Sequence, residues 1–142
     1  HGGNRPITSL VAGDLGVDLE GVEVADVTYF SLAGEAFEEI RAGEPGSAYH
    51  AGEFETALML YLHEEFVDRD AAVDDPVTPL SEYSPKDMFE GGPLGTRQAY
   101  ERMTEDGVRG EATLATAEAG EKLFEAICEE LAAVLAAVDE LE

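Results

Sequence analysis

A long amphipathic helix near the end of the chain is the feature that most limits its possible folds. From about residue 113 to 141, apolar residues recur every three or four positions, a spacing that lines one face of an α-helix. The stripe consists of Leu123, Phe124, Ile127, Leu131, Val134, Leu135 and Val138. Because such a stripe must be covered, we expect this helix to pack on one face of a sheet.

The clearest strand lies in the first third of the chain. Residues 22–30 are rich in β-branched and aromatic side chains and follow Gly21, which predicts a β-strand. Shorter helices are predicted at about residues 4–15, 34–41 and 53–66, the first of them ended by Gly13 and Gly16. Strands that alternate with helices favour an α/β fold, and we predict three layers, α/β/α, around a mainly parallel sheet.

A proline-rich segment separates the third and fourth predicted helices. Residues 74–95 contain four prolines, at positions 76, 79, 85 and 93, and show no regular spacing of apolar side chains. An irregular excursion of this length is more typical of a lid or a subunit contact than of a plain connector. We therefore predict one of these two roles for it.

The charge of the chain excludes several classes of partner. Asp and Glu total 32 against 8 Lys and Arg, which gives a formal net charge of -24. Nucleic acid and anionic membrane surfaces are repelled by such a chain, so we expect neither as a partner. Because 44% of the residues are apolar and periodic, the carboxylates indicate a solvated coat on a folded core. This pattern is typical of proteins from high salt, such as those of haloarchaea.

Cysteine content and hydropathy point to the cytoplasm. The chain has one cysteine, which excludes an intrachain disulfide. Its sequence contains no apolar run of the roughly 18 to 20 residues that a membrane-spanning helix needs. We therefore expect a reducing, cytoplasmic environment.

The most informative short segment reads HAGEFET at positions 50–56. Ala51 and Gly52 allow a tight entry into the following helix, whose first turn then carries Glu53 and Glu55, where the helix dipole favours negative charge. For Glu53, stabilisation of the helix end and a catalytic role both remain open. Glu55 has apolar neighbours, and a buried carboxylate there needs a cation or a hydrogen-bond partner. His50 lies on the preceding loop, a suitable place for proton transfer.

A second candidate segment reads HGGN at positions 1–4. Gly2 and Gly3 let the backbone approach a ligand closely, and neutral imidazole is a common ligand of zinc, manganese or iron, so His1 is a candidate metal ligand. An exposed His1 without any ligand role is the alternative. In open α/β sheets ligands bind beyond the carboxyl ends of the strands, and we expect both loops there.

These segments carry a family resemblance. Residues 1–4, the run YHAGEFETALMLYLHEEFV at 49–67 and the glycine-rich stretch at 107–120 are similar to the creatininase (creatinine amidohydrolase) family of metal-dependent hydrolases. The resemblance implies that His50 passes a proton to the leaving nitrogen and that His1 binds a divalent metal, zinc, manganese or iron. Relatives have a metal-binding Glu where this chain has Gly3, and Glu55 is the candidate for that role.

The resemblance also implies a substrate class and an assembly. The expected reaction is hydrolysis of a C–N bond in a small-molecule amide, either a cyclic amide or a formamide-type amide. Creatinine itself is not expected, because the family covers it with tryptophans and this chain has none. Further site residues are predicted as follows: Glu53 as a second catalytic residue, and Gly2, Gly3, Tyr29, Phe30 and Tyr49 in substrate binding. A homo-oligomer, by resemblance a hexamer, is expected.

The extent of the resemblance predicts how the chain is organised. Residues 1–142 are expected to be the C-terminal part of one creatininase-like domain, with the family's Glu-x-His pair and bridging Asp in a preceding segment. A second hypothesis, from another functional class, is a non-catalytic, acid-rich assembly domain that uses residues 74–95 and the last helix for subunit contacts. Metal analysis distinguishes the two hypotheses.

Overall fold

Four α-helices and three short β-strands form the regular structure of the residues described by the computed structural model, which are 1–95 and 99–140. In chain order they are α1 (Arg5–Asp18), α2 (Gly34–Ile40), β1 (Ala48–His50), α3 (Glu53–Leu62), β2 (Asp74–Asp75), β3 (Arg109–Glu111) and α4 (Ala117–Asp139). The chain divides into two units, one made of residues 1–33 and the chain from 126 onward, the other of residues 34–125. Each unit is described by itself.

Helix α1 belongs to the first unit and is longer than predicted. Pro6 lies in its first turn, where a missing backbone N–H is least costly, and the helix continues through Gly13 and Gly16 to Asp18. The predicted end at these glycines was wrong, because glycine weakens a helix interior without having to end it. None of the α1 residues is buried.

The strand predicted at residues 22–30 was wrong. Residues 22–28 have no regular secondary structure, and Tyr29–Leu32 forms a turn of 3-10 helix. A strand needs a neighbour for its backbone hydrogen bonds, and no strand among the described residues pairs with this segment. Val22 and Val27, which were expected in a sheet, are about half exposed, at 51% and 47%. A high β propensity means that side chains fit the surface of a sheet, but it does not provide the neighbouring strand with which to pair.

The second unit contains a three-stranded sheet in the order β1-β3-β2, and both of its strand pairs are antiparallel. Ala48 pairs with Gly110 and His50 with Arg109, so the register shifts by one residue at Tyr49. Asp74 and Asp75 of β2 face Glu111 and Gly110. The α/β character is confirmed, but the described residues do not form the mainly parallel, three-layer sheet that was predicted.

Three phenylalanines form the centre of the second unit. The Phe37 ring lies 5.3 Å from that of Phe54 and 4.8 Å from that of Phe89, and the Phe54 and Phe89 rings are 5.1 Å apart. Phe37 comes from α2 and Phe54 from α3, which were both predicted as helices. Helix α3 ends at Leu62 and is followed by a 3-10 turn, Glu64–Phe66, so it is shorter than expected.

Helix α4 confirms the predicted final helix, although residues Ala112–Leu114 form a separate 3-10 turn before it. Within the second unit its first turns contact α3: the Phe124 ring lies 5.8 Å from that of Tyr61. Leu123 is fully buried, whereas Leu135 is 62% exposed, so the apolar stripe is covered only in part.

The proline-rich segment at residues 74–95 is irregular, as predicted. Residues 74–95 have no regular structure beyond the two residues of β2. The proposed role of this segment as a lid or subunit contact stays a prediction. Across residues 1–95 and 99–140, no helix has both the length and the hydropathy needed to cross a membrane.

Candidate functional site

The turn between β1 and α3 presents His50 in a strained backbone. β1 ends at His50, α3 begins at Glu53, and between them Ala51 has a φ of 49°. This left-handed conformation is unfavourable for a residue with a Cβ atom and persists only where the surroundings impose it. The register shift in β1 adjoins the same turn, and such irregularities are frequent beside functional sites. Backbone strain and a shifted register therefore both mark the turn that carries the half-buried His50.

The carbonyl group of Ser47 fixes the base of this turn. It accepts hydrogen bonds from the backbone N–H of Glu53 at 3.0 Å and of Glu111 at 2.8 Å. Gly52 and Gly110 approach the same carbonyl so closely that a Cβ atom on either residue would collide with it. These contacts join the start of α3 to β3, so the position of Ser47 controls how the helix leaves the turn.

Glu53 is the more buried of the two acidic residues in the first turn of α3, at 3% exposure. Its Oε1 accepts a hydrogen bond from the N–H of Ala42 at 2.5 Å, and its Oε2 accepts one from Gly43 at 3.1 Å. The carboxylate thus holds the loop at residues 41–47, and these bonds go to that loop rather than to its own helix end. Its predicted catalytic role stays a prediction.

Glu55 is half-buried, and its Oε2 accepts a hydrogen bond from the N–H of Ala51 at 2.7 Å. This bond supplies the partner that the sequence required for a carboxylate among apolar neighbours. It also stabilises the strained residue, because it satisfies a backbone donor at the tip of the turn. The predicted metal-binding role of Glu55 stays a prediction.

The predicted site residues near the chain start lie in the first unit. Nδ1 of His1 accepts a hydrogen bond from the N–H of Gly3 at 3.0 Å, and residues Gly2–Asn4 form a 3-10 turn. Gly2 lies against the ring of Phe30, which packs edge-on against Tyr29 with the ring centres 5.5 Å apart. The first unit thus brings together Gly2, Tyr29 and Phe30.

The second unit carries the remaining predicted site residues, in one continuous segment. Tyr49, which is 40% exposed, directly precedes His50, and Glu53 and Glu55 follow in the first turn of α3. They therefore share the β1–α3 turn, whereas the other predicted residues belong to the first unit.

A buried ion pair beside this turn was missed by the sequence analysis. Nη2 of Arg41 lies 2.9 Å from Oδ2 of Asp87, and the side chains are 8% and 0% exposed. Burial raises the pKa of Asp87, but the N–H of Glu90, the guanidinium of Arg41 and the N–H groups of Phe89 and Gly46 outweigh burial and hold the pKa below its ordinary value. Asp87 is therefore held as a charged, fully hydrogen-bonded carboxylate.

Glu111 of β3 experiences the opposite electrostatic environment. Burial, and then the negative charges of Asp74 and Glu53, raise the pKa of Glu111, although Arg41 opposes this effect. Asp74 itself accepts hydrogen bonds from the N–H and hydroxyl of Thr113. The side of the sheet next to the turn therefore carries an excess of negative charge.

The sequence matches a known protein family over most of its length. The family model described as Creatininase: Creatinine amidohydrolase matches residues 1–135, nearly the whole chain. The chain belongs to the creatininase family. No curated protein and no solved structure matches it.

Membership in the creatininase family implies a divalent metal, which needs several His, Cys, Asp or Glu side chains arranged around one point. Within residues 1–95 and 99–140, no group of three or more His, Cys, Asp or Glu side chains is arranged to hold a metal ion. Both oxygens of Glu53 and one of Glu55 accept backbone hydrogen bonds. Nδ1 of His1 also accepts a backbone hydrogen bond, from the N–H of Gly3. The described residues, as arranged, do not fit a complete metal site, and a metal needs further ligands or a different arrangement.

Proposed function

We propose that this creatininase-family chain acts in a metal-dependent hydrolase, an enzyme that cleaves a C–N bond in a cyclic amide or a formamide-type amide. The observation that carries the proposal is the family match over residues 1–135. The strained β1–α3 turn adds support, because it lies within the matched segment and presents a histidine next to a register shift. The substrate itself and the identity of the metal, zinc, manganese or iron, are open within this class.

The proposed role of His50 follows from the balance of the reaction. In hydrolysis the oxygen of a water molecule bonds to the carbonyl carbon, the C–N bond breaks, and the nitrogen leaves with a proton. An imidazole near neutral pH both accepts and donates a proton, so His50 can take one from the attacking water and deliver it to the nitrogen. Glu53 would contribute through the loop that its carboxylate holds.

The other roles are proposed from the resemblance. His1 and Glu55 are candidate metal ligands, and Gly2, Gly3, Tyr29, Phe30 and Tyr49 are candidate substrate contacts. For His1 and Glu55, binding a metal would compete with the present hydrogen bonds to the N–H groups of Gly3 and Ala51. Such competition predicts that metal binding changes the local backbone, which is measurable by NMR.

The roles can be separated by substitution. We expect His50→Ala to keep its metal content and to lose turnover by about 10²- to 10⁴-fold, the range for a general acid-base group. His1→Ala and Glu55→Ala should lose metal first. His63→Ala is the matched control, because His63 is an exposed histidine at the end of α3 and should retain both properties. Metal analysis alongside turnover of cyclic amides and formamides tests this, and undiminished turnover by His50→Ala would refute the role of His50.

A non-catalytic assembly role is the second candidate, and helix α1 favours it. None of its residues is buried, and Ile7, Leu10 and Val17 are 63%, 69% and 85% exposed. Exposed apolar side chains of this kind are typical of association surfaces. If assembly is the only function, the purified protein should contain no bound metal and hydrolyse no amide, while Leu10→Glu should lower its mass in light scattering.

A further inference from the structure

The segment at residues 87–89 contacts the elements around His50 in three different ways: the loop before β1, β1 itself, and helices α2 and α3. The Asp87 side chain is fully buried beside Arg41, and its Oδ2 also accepts a hydrogen bond from Gly46 N–H at 3.2 Å. The next residue, Met88, donates its N–H to the carbonyl oxygen of Ala48 in β1 at 3.0 Å. Phe89 then packs against Phe37 and Phe54. The sequence analysis assigned no site residue to this segment, so its contribution to the turn comes from the structure alone.

Arg41 transmits these contacts to the loop. Its Nε donates to the carbonyl of Gly43 at 3.1 Å, and its Nη2 lies 2.9 Å from the carbonyl oxygen of Glu44. The same nitrogen is 3.2 Å from the hydroxyl of Ser47. A planar guanidinium fixes several acceptors in one plane, so the orientation of Arg41 determines the path of residues 43–47. Asp87 in turn fixes Arg41, since its Oδ2 is 2.9 Å from Nη2.

The path continues from Ser47 to the histidine. The carbonyl of Ser47 accepts the N–H of Glu53, the first residue of α3, and only the strained Ala51 and Gly52 separate that residue from His50. A displacement of Ser47 would therefore change the entry of α3 and the direction in which the turn presents His50. We propose that Asp87 is a positioning residue for His50, acting through Arg41 and Ser47; this proposal rests on the proposed function.

The chemistry of the pair supports positioning more than stability alone. Burying two charges costs solvation free energy that their attraction offsets only with good geometry, and an apolar pair of similar volume often stabilises a protein equally well. Here both oxygens of Asp87 accept backbone hydrogen bonds in addition to the ion pair, from Gly46, Phe89 and Glu90. Directional contacts of this kind define one loop conformation, which apolar packing does not.

The test compares Asp87→Asn with Glu90→Gln in the full chain. Glu90 lies three residues further along, is exposed, and its side chain pairs with that of the exposed Lys86, so its loss should leave the loop unchanged. The first measurement is the NMR spectrum of the His50 ring, whose signals are assigned by comparison with His50→Gln and His63→Gln. The second measurement is turnover of a panel of cyclic amides and formamides. We expect Asp87→Asn to move the His50 ring signals and not those of His63.

In turnover, Asp87→Asn should lower kcat about 10- to 100-fold with KM nearly unchanged, because a displacement of about 1 Å of a reacting group costs up to about 10²-fold. Glu90→Gln should match the wild type in both measurements. A folded Asp87→Asn variant with unmoved His50 signals and unchanged kcat would overturn the proposal, as would a loss of thermal stability alone.

Two further arms keep the test decisive. If Asp87→Asn does not fold, Arg41→Lys retains the charge but loses the planar fork, and it should move the His50 signals in the same way; unmoved signals in this variant would also overturn the proposal. If the wild type turns over none of the amides, the proposed function fails, while the His50 signals still decide whether Asp87 positions the turn.

Discussion

Gly120 of α4 lies directly against the backbone carbonyl of Ala57 in α3, with no space between them for a Cβ atom. A Cβ on Gly120 would also come within 2.9 Å of the Cβ of Tyr61. Close approach of two helix backbones at a glycine allows the adjacent side chains to pack, here Phe124 on Tyr61. The contact between α3 and α4 in the second unit therefore depends on a residue without a side chain.

The first prediction follows from this contact. We expect Gly120→Ala to lower the free energy of unfolding by about 1 to 3 kcal/mol, the usual cost of forcing an extra methyl group into a packed contact, despite the better helix propensity of alanine. Gly91→Ala is the control, because nothing lies within 4 Å of the added Cβ, and it should change stability by under about 0.5 kcal/mol. Urea unfolding measures both, and equal stabilities would contradict the close packing.

The second prediction concerns the acid stability of the Arg41–Asp87 pair. Because the pKa of Asp87 is lower in the folded protein than its ordinary value of 3.8, the unfolded chain binds the proton more tightly. The stability that Asp87 contributes is therefore fully present above that pH and is lost as the pH falls through the lowered folded value. At neutral pH, Asp87→Asn should be less stable by about 3 kcal/mol, because it removes the buried counter-charge of Arg41 and leaves only the ion pair with the exposed Glu38.

The difference in the free energy of unfolding between the wild type and Asp87→Asn isolates the effect of the Asp87 carboxylate, since the other carboxylates titrate in both proteins. Urea unfolding between pH 7 and about pH 2 should show the difference shrinking only at the acid end. A difference that stays constant over the whole range would mean that Asp87 does not carry its charge into the folded state.

The helices were more predictable from the sequence than the sheet. Helical spacing of apolar residues is local information, and it correctly predicted α2, α3 and α4. Residues 22–30 had strand-like composition, but a strand also depends on distant backbone partners that composition does not specify. Conversely, β2 and β3 are only two and three residues long. β3, Arg109–Glu111, contains no β-branched or aromatic side chain, so its composition did not indicate a strand.

The candidate turn at His50 was predicted from residue types, but the burial of the nearby acids was not predicted correctly. The sequence favoured Glu55 as the buried carboxylate, whereas Glu53 is the more buried one, because helix spacing does not reveal that the loop at residues 41–47 folds over that side of α3. Asp87 was missed for a different reason. In a chain with 32 acidic residues, a single buried aspartate cannot be distinguished by composition from the solvated coat.

The third prediction concerns Glu111, whose pKa is raised. A carboxyl group with a folded pKa above its ordinary value of 4.5 binds its proton more tightly in the folded state. Its contribution to stability is therefore greatest below that pH and is lost as the pH rises through the raised folded value. Glu111→Gln should be more stable than the wild type at neutral pH, and this advantage should disappear at acid pH, where Glu111 is protonated.

The control for this prediction removes a charge elsewhere. In a chain of charge -24, deleting any carboxylate reduces general repulsion, so Glu39→Gln, at an exposed position of α2, measures that background. Glu111→Gln should gain more than this control in thermal unfolding at neutral pH. An equal gain in both variants would show that the local charges of Asp74 and Glu53 have no special effect at Glu111.

The last prediction concerns salt. A net charge of -24 on 142 residues makes the folded state repel itself, and this repulsion weakens as the Debye length falls from about 10 Å at 0.1 M to about 3 Å at 1 M. We expect the thermal midpoint to rise clearly across that range in sodium chloride. The advantage of Glu111→Gln over the wild type should shrink at the same time, because part of it comes from repulsion by Asp74 and Glu53. An uncharged osmolyte, sucrose, is the control: it stabilises by exclusion from the protein surface and should leave the Glu111→Gln advantage unchanged. A flat midpoint in salt would remove the high-salt interpretation of the acidic coat.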